Sequence, residues 1–223
     1  MVFDIGSNTG KYTSIFLKYS KKVLSVEPQA ELCLLQNKLF KKEIQKNKLI
    51  IENIAIDSKN GIVELHINSK NGLSSTSKKY QTEVIPKEFS YTNNIETVKV
   101  RSKNIDSLIE LYGKPNYIKI DIEGSEKNAI MSLSHNISLL SFECNLPYFK
   151  KEMFAIMERI SDLGQYKYIV LQHKEFVFKS RLKTGYEIKS LVQNKKLNNV
   201  FDLYCVSVDY NLKIKEQYSS FFM

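Results

Sequence analysis

The sequence has no tryptophan, four prolines, three cysteines and three histidines in 223 residues. Three thiols cannot close a disulfide framework. Cys33, Cys144 and Cys205 sit among apolar neighbours without CxxC spacing, so they read as buried core thiols. His66, His135 and His173 are far apart with no zinc spacing, and no structural metal site is indicated. No apolar run approaches membrane-spanning length, so no membrane partner is expected. Residues 1–5 read at once as a strand rather than a leader, and the expectation is a cytoplasmic protein. Arginine is scarcest of all: of 33 basic residues only Arg101, Arg159 and Arg181 are arginine, and the lysines are scattered. The net charge of +9 therefore lacks the arginine forks and clusters that read phosphates and bases, and nucleic acid is not the expected partner.

What is present is a globular composition, with 43% hydrophobic and 26% charged residues, enough for one domain with a sizeable core. The chain opens with Val2-Phe3-Asp4-Ile5, an apolar run carrying an acid. The turn Gly6-Ser7-Asn8-Thr9-Gly10 follows, then a helix with Tyr12, Ile15, Phe16 and Tyr19 at helical spacing. Val23-Leu24-Ser25-Val26 is a second strand ending in Glu27-Pro28, and Pro28 can open the next helix, whose apolar face is Leu32, Leu35, Leu39 and Phe40. A third strand begins at Leu49 and runs to Asn53 or just beyond. This is β-α-β-α-β, the first half of a doubly wound sheet.

The pattern then changes. Residues 62–67 and 96–100 alternate like half-exposed strands and are expected side by side at one side of the sheet. Between them, residues 68–95 show neither period and read as an acceptor-side loop or insertion. Asn104 or Asp106 can cap a helix closed by Gly113, and residues 116–120 make a central strand ending at Asp121. Residues 137–142 form the next strand, ending at Glu143. A helix over 148–163 follows, then a hairpin of 168–171 with 175–178, a short helix over 187–193 and a last strand over 201–208. Residues 1–208 thus read as one domain and 209–223 as a tail, with Phe221-Phe222-Met223 available to dock on the core or on a partner.

In an open α/β sheet the carboxyl ends of the strands share one edge, and ligands bind in the crevice there. Asp4, Glu27, Asn53, Asp121 and Glu143 all fall at such ends. A dinucleotide fingerprint needs GxGxxG, but here Asn8 stands where the middle glycine belongs. Asp4, ahead of the glycines, would repel a pyrophosphate and attract the ammonium of an amino-acid-bearing cofactor. Glu27 is suited to accept both hydroxyls of a ribose. The set favours S-adenosylmethionine over a nicotinamide dinucleotide. Lys119 lies in a central strand and needs a paired charge, with Asp121 on the same face and Glu143 at the end of the next strand. The trio reads either as a structural ion pair or as groups that tune one another where the acceptor binds.

The opening stretch from Val2 to Gly10, Val26-Glu27-Pro28, Asn53-Ile54-Ala55, Gly72-Leu73-Ser74-Ser75 and Ile118-Lys119-Ile120-Asp121-Ile122-Glu123-Gly124-Ser125-Glu126 occur in this order along the chain. Together these motifs resemble the FkbM family of S-adenosylmethionine-dependent methyltransferases. The resemblance implies a class I, Rossmann-like methyltransferase fold, a mostly parallel seven-stranded sheet with an antiparallel C-terminal strand. It implies transfer to a hydroxyl, often on a sugar or polyketide. On these positions it implies cofactor contacts from Asp4, Gly6, Asn8, Gly10, Glu27 and Asp121, with Asn53 and Ala55 near the adenine. Family members usually carry a covering segment before the first strand. Here that cover is expected to fall to the 68–95 segment, with Ser74, Ser75 and Glu123 towards the acceptor.

Methyl transfer from a sulfonium needs alignment and an activated oxygen. Asp121 is the first choice as general base or metal ligand and Glu143 the second, with Lys119 tuning both. Asp121, Glu143 and Asn145 form an oxygen set that would suit Mg²⁺, although no spacing demands one and a metal is not expected. The competing readings are an RNA or DNA methyltransferase, supported by charge alone, and a cofactor-binding protein without turnover. No Asn-Pro-Pro-aromatic signature follows residue 121, where a base-modifying enzyme would stack its target.

Overall fold

Val2–Ile5, Val23–Val26 and Tyr117–Ile120 are short runs of strand-forming residues, and they lie side by side and parallel in the computed structural model. The structure describes residues 1–68, 73–88, 95–172 and 181–210. Its first half runs β1 (Val2–Ile5), α1 (Lys11–Tyr19), β2 (Val23–Val26), α2 (Ala30–Leu39), α3 (Lys41–Gln45), β3 (Leu49–Glu52), β4 (Ala55–Ile56) and β5 (Gly61–Asn68). A π-helical turn, Tyr80–Val84, then enters α4 (Ile85–Glu88), followed by β6 (Ile95–Lys103), α5 (Ile105–Tyr112), β7 (Tyr117–Ile120) and α6 (Glu126–Met131). The remainder is β8 (Leu139–Asn145), α7 (Lys150–Leu163), β9 (Tyr166–Gln172), α8 (Gly185–Gln193) and β10 (Val200–Ser207).

The seven-stranded sheet has the order β3-β2-β1-β7-β8-β10-β9, with β10 antiparallel to both neighbours. This is the arrangement the resemblance implies. The chain winds outward through β1, β2 and β3, then returns to place β7 on the other side of β1. The switch point between β1 and β7 opens a crevice at the strands' carboxyl ends. Alternation sends Phe3, Ile5, Leu24, Ile118, Ile120, Phe142 and Leu203 to one face, where α5, α6, α7 and α8 bury the main core. Val23 and Leu49 point the other way and pack with Leu17 of α1.

Several expectations need correction. Tyr12, Ile15 and Tyr19 are 38%, 41% and 86% exposed, so they are not the inner face of α1, which buries Thr13 and Leu17. In α2 the buried residues are Cys33 and Gln36, while Leu35 and Leu39 face outward. Both helices have turned to bring hydroxyl and amide groups to the polar strand ends beneath them. α2 starts at Ala30 behind Gln29 rather than at Pro28, and β3 stops at Glu52, leaving Asn53 outside the strand. Residues 62–67 and 96–100 do pair, antiparallel, but in a separate three-stranded sheet of order β4-β6-β5. The segment read as an aperiodic loop contains the helical turns of 80–88 and a bridge between His66 and Ser75. α7 begins at Lys150, after Tyr148, and α8 at Gly185. β9 pairs along its length with β10, and Tyr168 also bridges to Lys183. The arm expected at 175–178 lies outside the described residues, as do Gly72, His173 and Phe221-Phe222-Met223. Among the described residues no helix is long and apolar enough to cross a membrane.

Candidate active site

The turn after β1 can close over the end of β7 because residue 6 is glycine. Gly6 stands at φ 76°, and a Cβ there would lie 1.7 Å from the Asp121 carbonyl oxygen. Gly10, at φ 85°, starts α1 where a Cβ would strike the Phe40 ring at 2.5 Å. Between them Asn8 adopts φ 51°, a left-handed conformation asparagine tolerates better than most. Its N–H donates to Glu27 Oε2 at 2.9 Å, and the Gln29 N–H donates to Oε1 at 2.9 Å. Glu27 is 4% exposed; burial pushes its carboxyl up, and these two backbone donors pull it back. Asn53 turns its amide onto the Glu27 and Pro28 carbonyls, at 3.0 and 2.9 Å, and so ties the end of β3 to the end of β2.

The pocket over this edge is walled by Gly6, Asn8, Glu27, Ala55, Asp121 and Glu123. Val26, Ile54, Ile56 and Leu65 give it an apolar side, and Ser74-Ser75-Thr76 border it. That segment is stitched to the turn after β7: the Ser75 hydroxyl donates to the Glu123 carbonyl at 2.6 Å, and the Thr76 and Ser125 hydroxyls are 2.7 Å apart. Ser75 also accepts from the Ser77 N–H at 2.8 Å, which leaves the buried Ser74 hydroxyl as the one without a partner.

Asp4 does not line this pocket. It is fully buried, with Oδ2 accepting from the Thr13 hydroxyl at 2.6 Å and Oδ1 lacking a hydrogen-bond partner. Across the sheet it is in register with Lys119, whose Nζ is 2.9 Å from Asp121 Oδ2 and 4.6 Å from the centre of the Tyr12 ring. Burial works to lower the Lys119 ammonium, but Asp121 and Asp4 outweigh it and hold the group above the ordinary lysine value. Burial pushes the Asp4 carboxyl up, opposed by Lys119 and Thr13. Lys119 is therefore a buried cation serving two carboxylates, one sealed and one facing the pocket.

A second set of acids stands beyond Asp121. Glu123, left-handed at φ 55°, is pushed well up by burial and by Glu143 and Asp121. The Tyr80 phenol on the π-helical turn is raised by burial and by that same Glu123. Glu143 is not on the main pocket; it borders a smaller cavity with Gly124, Glu126 and Phe149. In β8 it stands opposite Asp202, whereas the residue paired with Lys119 is Ser141. Lys119 and Asp121 thus come together as expected, and Glu143 is grouped with Glu123 and Glu126 instead.

Glu126 is buried and accepts from the Ile122 and Gly124 N–H groups, so it braces the turn that presents Glu123. Burial and Glu143 push its carboxyl up to about 8. In the folded chain it keeps a proton that the unfolded chain releases near the ordinary glutamate value of 4.5, so stability should fall as pH rises between those values. The slope from one such group is on the order of 1 kcal/mol per pH unit. Glu126→Gln keeps the accepting oxygen without the titration. A flatter plot of melting temperature against pH from 4.5 to 8, with a gain at the alkaline end, is the expected result. An unchanged plot would contradict it.

Thr13, Gln36 and Tyr80 reach this site without having been picked out in the sequence. The available signal was polarity on a helix face that packs on polar strand ends, readable only once that face is known. Among the described residues no group of three histidine, cysteine, aspartate or glutamate residues is arranged to hold a metal ion. All three cysteines are free and buried.

The strand order and the pocket at the switch point define a class I methyltransferase fold. A solved FkbM methyltransferase from Methylobacillus flagellatus KT shares it with a TM-score of 0.56 at 14% identity, over 92% of this chain and 43% of that one. An S-adenosylmethionine-dependent O-methyltransferase of Thermotoga maritima gives 0.43 at 10% identity, over 93% and 58%. An rRNA methylase of Streptococcus thermophilus gives 0.42 at 9%, over 92% and 85%. At 14% identity the likeness to the Methylobacillus protein is one of fold. The profile of the methyltransferase FkbM domain matches residues 4–169, more than half of the chain, and the chain belongs to that family. It spans less than half the length of the Methylobacillus protein, and no curated protein matches it in sequence.

Proposed function

We propose that the chain binds S-adenosylmethionine and methylates a hydroxyl of a neutral small molecule or glycan in the cytoplasm, with residues 1–208 as the catalytic domain. The observation that carries this is the pocket in which the glycine turn, Glu27, Asp121 and Glu123 meet over the β1–β7 switch point. Its parts fit the cofactor. Ile54, Ile56 and Leu65 offer an apolar wall to the adenine beside Ala55, with Asn53 tying down the adjoining strand end. Glu27 is the ribose acceptor, Gly6 lines the pocket beside it, and Gly10, expected as a cofactor contact, lies off the pocket against Phe40 and serves the turn that carries Asn8. Asp4 acts from beneath the turn through its charge and its grip on Thr13, supporting the seat of the cofactor's amino-acid end. When bound, the cofactor supplies an electrophilic methyl group on a sulfonium.

The protein's own part is to align the acceptor and take its proton. Asp121 faces the pocket with Lys119 behind it, which suits a base that must be fixed in direction. Glu123 and Ser74 stand towards the acceptor, Ser75 holds the bordering segment in place, and Glu143 is the reserve candidate for the base. No divalent metal is called for. The described residues that line the pocket include Asp121 and no lysine or arginine, which disfavours phosphate-rich acceptors and is the reason to prefer a neutral polyol over a nucleic acid.

Isothermal calorimetry with S-adenosylhomocysteine should show stoichiometric binding, and its absence would sink the reading. A donor-consumption screen over neutral glycosides, sugar phosphates and RNA should favour the first. Turnover confined to RNA, with salt-dependent binding, would reverse the acceptor assignment.

A further inference from the structure

α2 buries a glutamine where a leucine would pack at less cost. Gln36 is 0% exposed, while Leu34, Leu35 and Leu39 of the same helix are 62%, 38% and 60% exposed. A buried amide is unfavourable unless its donors and acceptors are met. Here they are. The Ser25 hydroxyl donates to Oε1 at 2.7 Å, and Nε2 donates to the Asn8 carbonyl at 2.6 Å and to Ser7 Oγ at 2.9 Å. The two serine hydroxyls are themselves 2.7 Å apart. None of these partners belongs to α2: Ser7 and Asn8 are in the glycine turn, and Ser25 lies two residues before Glu27.

Asn8 is the residue that needs holding. At φ 51° it is in a conformation that persists only where its surroundings fix it. Its N–H is held by Glu27 Oε2 at 2.9 Å and its carbonyl by Gln36. The contact also reaches the start of α1, because Gln36 Cγ is 3.3 Å from where a Cβ on Gly10 would sit. Releasing the carbonyl would let the turn rotate and take with it the backbone donor that aims Glu27.

We propose that Gln36 is a positioning residue for the cofactor, acting through Asn8 to hold the Glu27 carboxylate where it receives the ribose. This rests on the cofactor reading above. Gln36→Met keeps length and apolar volume and removes all three hydrogen bonds. It is expected to raise the dissociation constant for S-adenosylhomocysteine and the KM for S-adenosylmethionine roughly tenfold. The kcat at saturating cofactor should stay within about twofold of the unmodified enzyme. Amide exchange at Asn8, followed without cofactor, should accelerate in step. Gln36→Asn, a milder change whose amide falls short of Asn8, should show the same split if the methionine variant fails to fold.

Cofactor affinity equal to that of the unmodified chain in a folded variant would overturn the proposal, and so would a fall in kcat matching the rise in KM. Failure of the unmodified chain to bind S-adenosylhomocysteine would instead sink the cofactor reading, while exchange at Asn8 would still report on the clamp.

Discussion

Asp121→Asn should leave the cofactor bound and stop turnover. The substitution is isosteric: the asparagine oxygen can still accept from Lys119 Nζ, now 2.9 Å from Asp121 Oδ2, and the backbone N–H keeps its 3.0 Å bond to the Ile5 carbonyl. What disappears is the negative charge and the capacity to take a proton at a side chain that is 30% exposed on the pocket. Loss of a general base lowers kcat by roughly 10²–10⁴-fold. Affinity for S-adenosylhomocysteine, proposed above to rest on Glu27 and the glycine turn, should change by no more than about threefold. Single-turnover rates and calorimetry on one preparation separate the two effects. If Asp121→Asn turns over at the normal rate, the base is elsewhere; a Glu143→Gln variant that fails to turn over would then move the role to the second acid.

Lys119→Met is the change expected to do most harm to the fold. Lys119 is 6% exposed and in register with Asp4, which is fully buried with one oxygen lacking a hydrogen-bond partner. Lys119 is the cation that offsets the Asp4 carboxyl, and leaving a buried charge without its compensation costs about 3–5 kcal/mol. Asp121 suffers less, because water reaches it. Asp4→Asn in the same chain removes the stranded charge and leaves an oxygen for the Thr13 hydroxyl, so the double variant should regain much of the loss. The deficit should also shrink in acid. Asp4, already pushed up by burial and now without its cation, will hold a proton in the folded chain at pH values where the unfolded chain has lost it, so stability falls as pH rises above the ordinary aspartate value of 3.8. Urea denaturation of the four species at pH 7 and at pH 5 tests this. A double variant no more stable than Lys119→Met would show that Lys119 does not serve Asp4.

The acids at strand ends were legible because the rule that gathers them is local: a short apolar strand, a polar residue, then a turn. That rule brought Glu27 and Asp121 to one pocket without any knowledge of packing. It failed for Glu143. β8 continues to Asn145, so Glu143 lies inside the strand and opens towards Glu126. Asp4 is a different case, being correctly placed at its strand end and then sealed from the pocket by the turn that follows it. The helix faces of α1 and α2 were misread for one reason. Apolar spacing assumes that a helix packs on an apolar surface, and these two pack on Asp4 and Ser25.

The sequence alone therefore determined the family, the parallel core, the edge that carries the pocket and the pairing of Lys119 with Asp121. Each depends on neighbours in the chain or on the two-residue period of a strand. Only the tertiary structure decided that Asp4 is sealed beneath the turn, that Ser75 is bound up in its own loop, that Gln36 bonds to the turn and that the acids part into two groups. Those outcomes follow from which residue lies across a strand or under a helix. Hydrogen-bond partners 20 or more positions apart carry no mark of one another until the chain has folded.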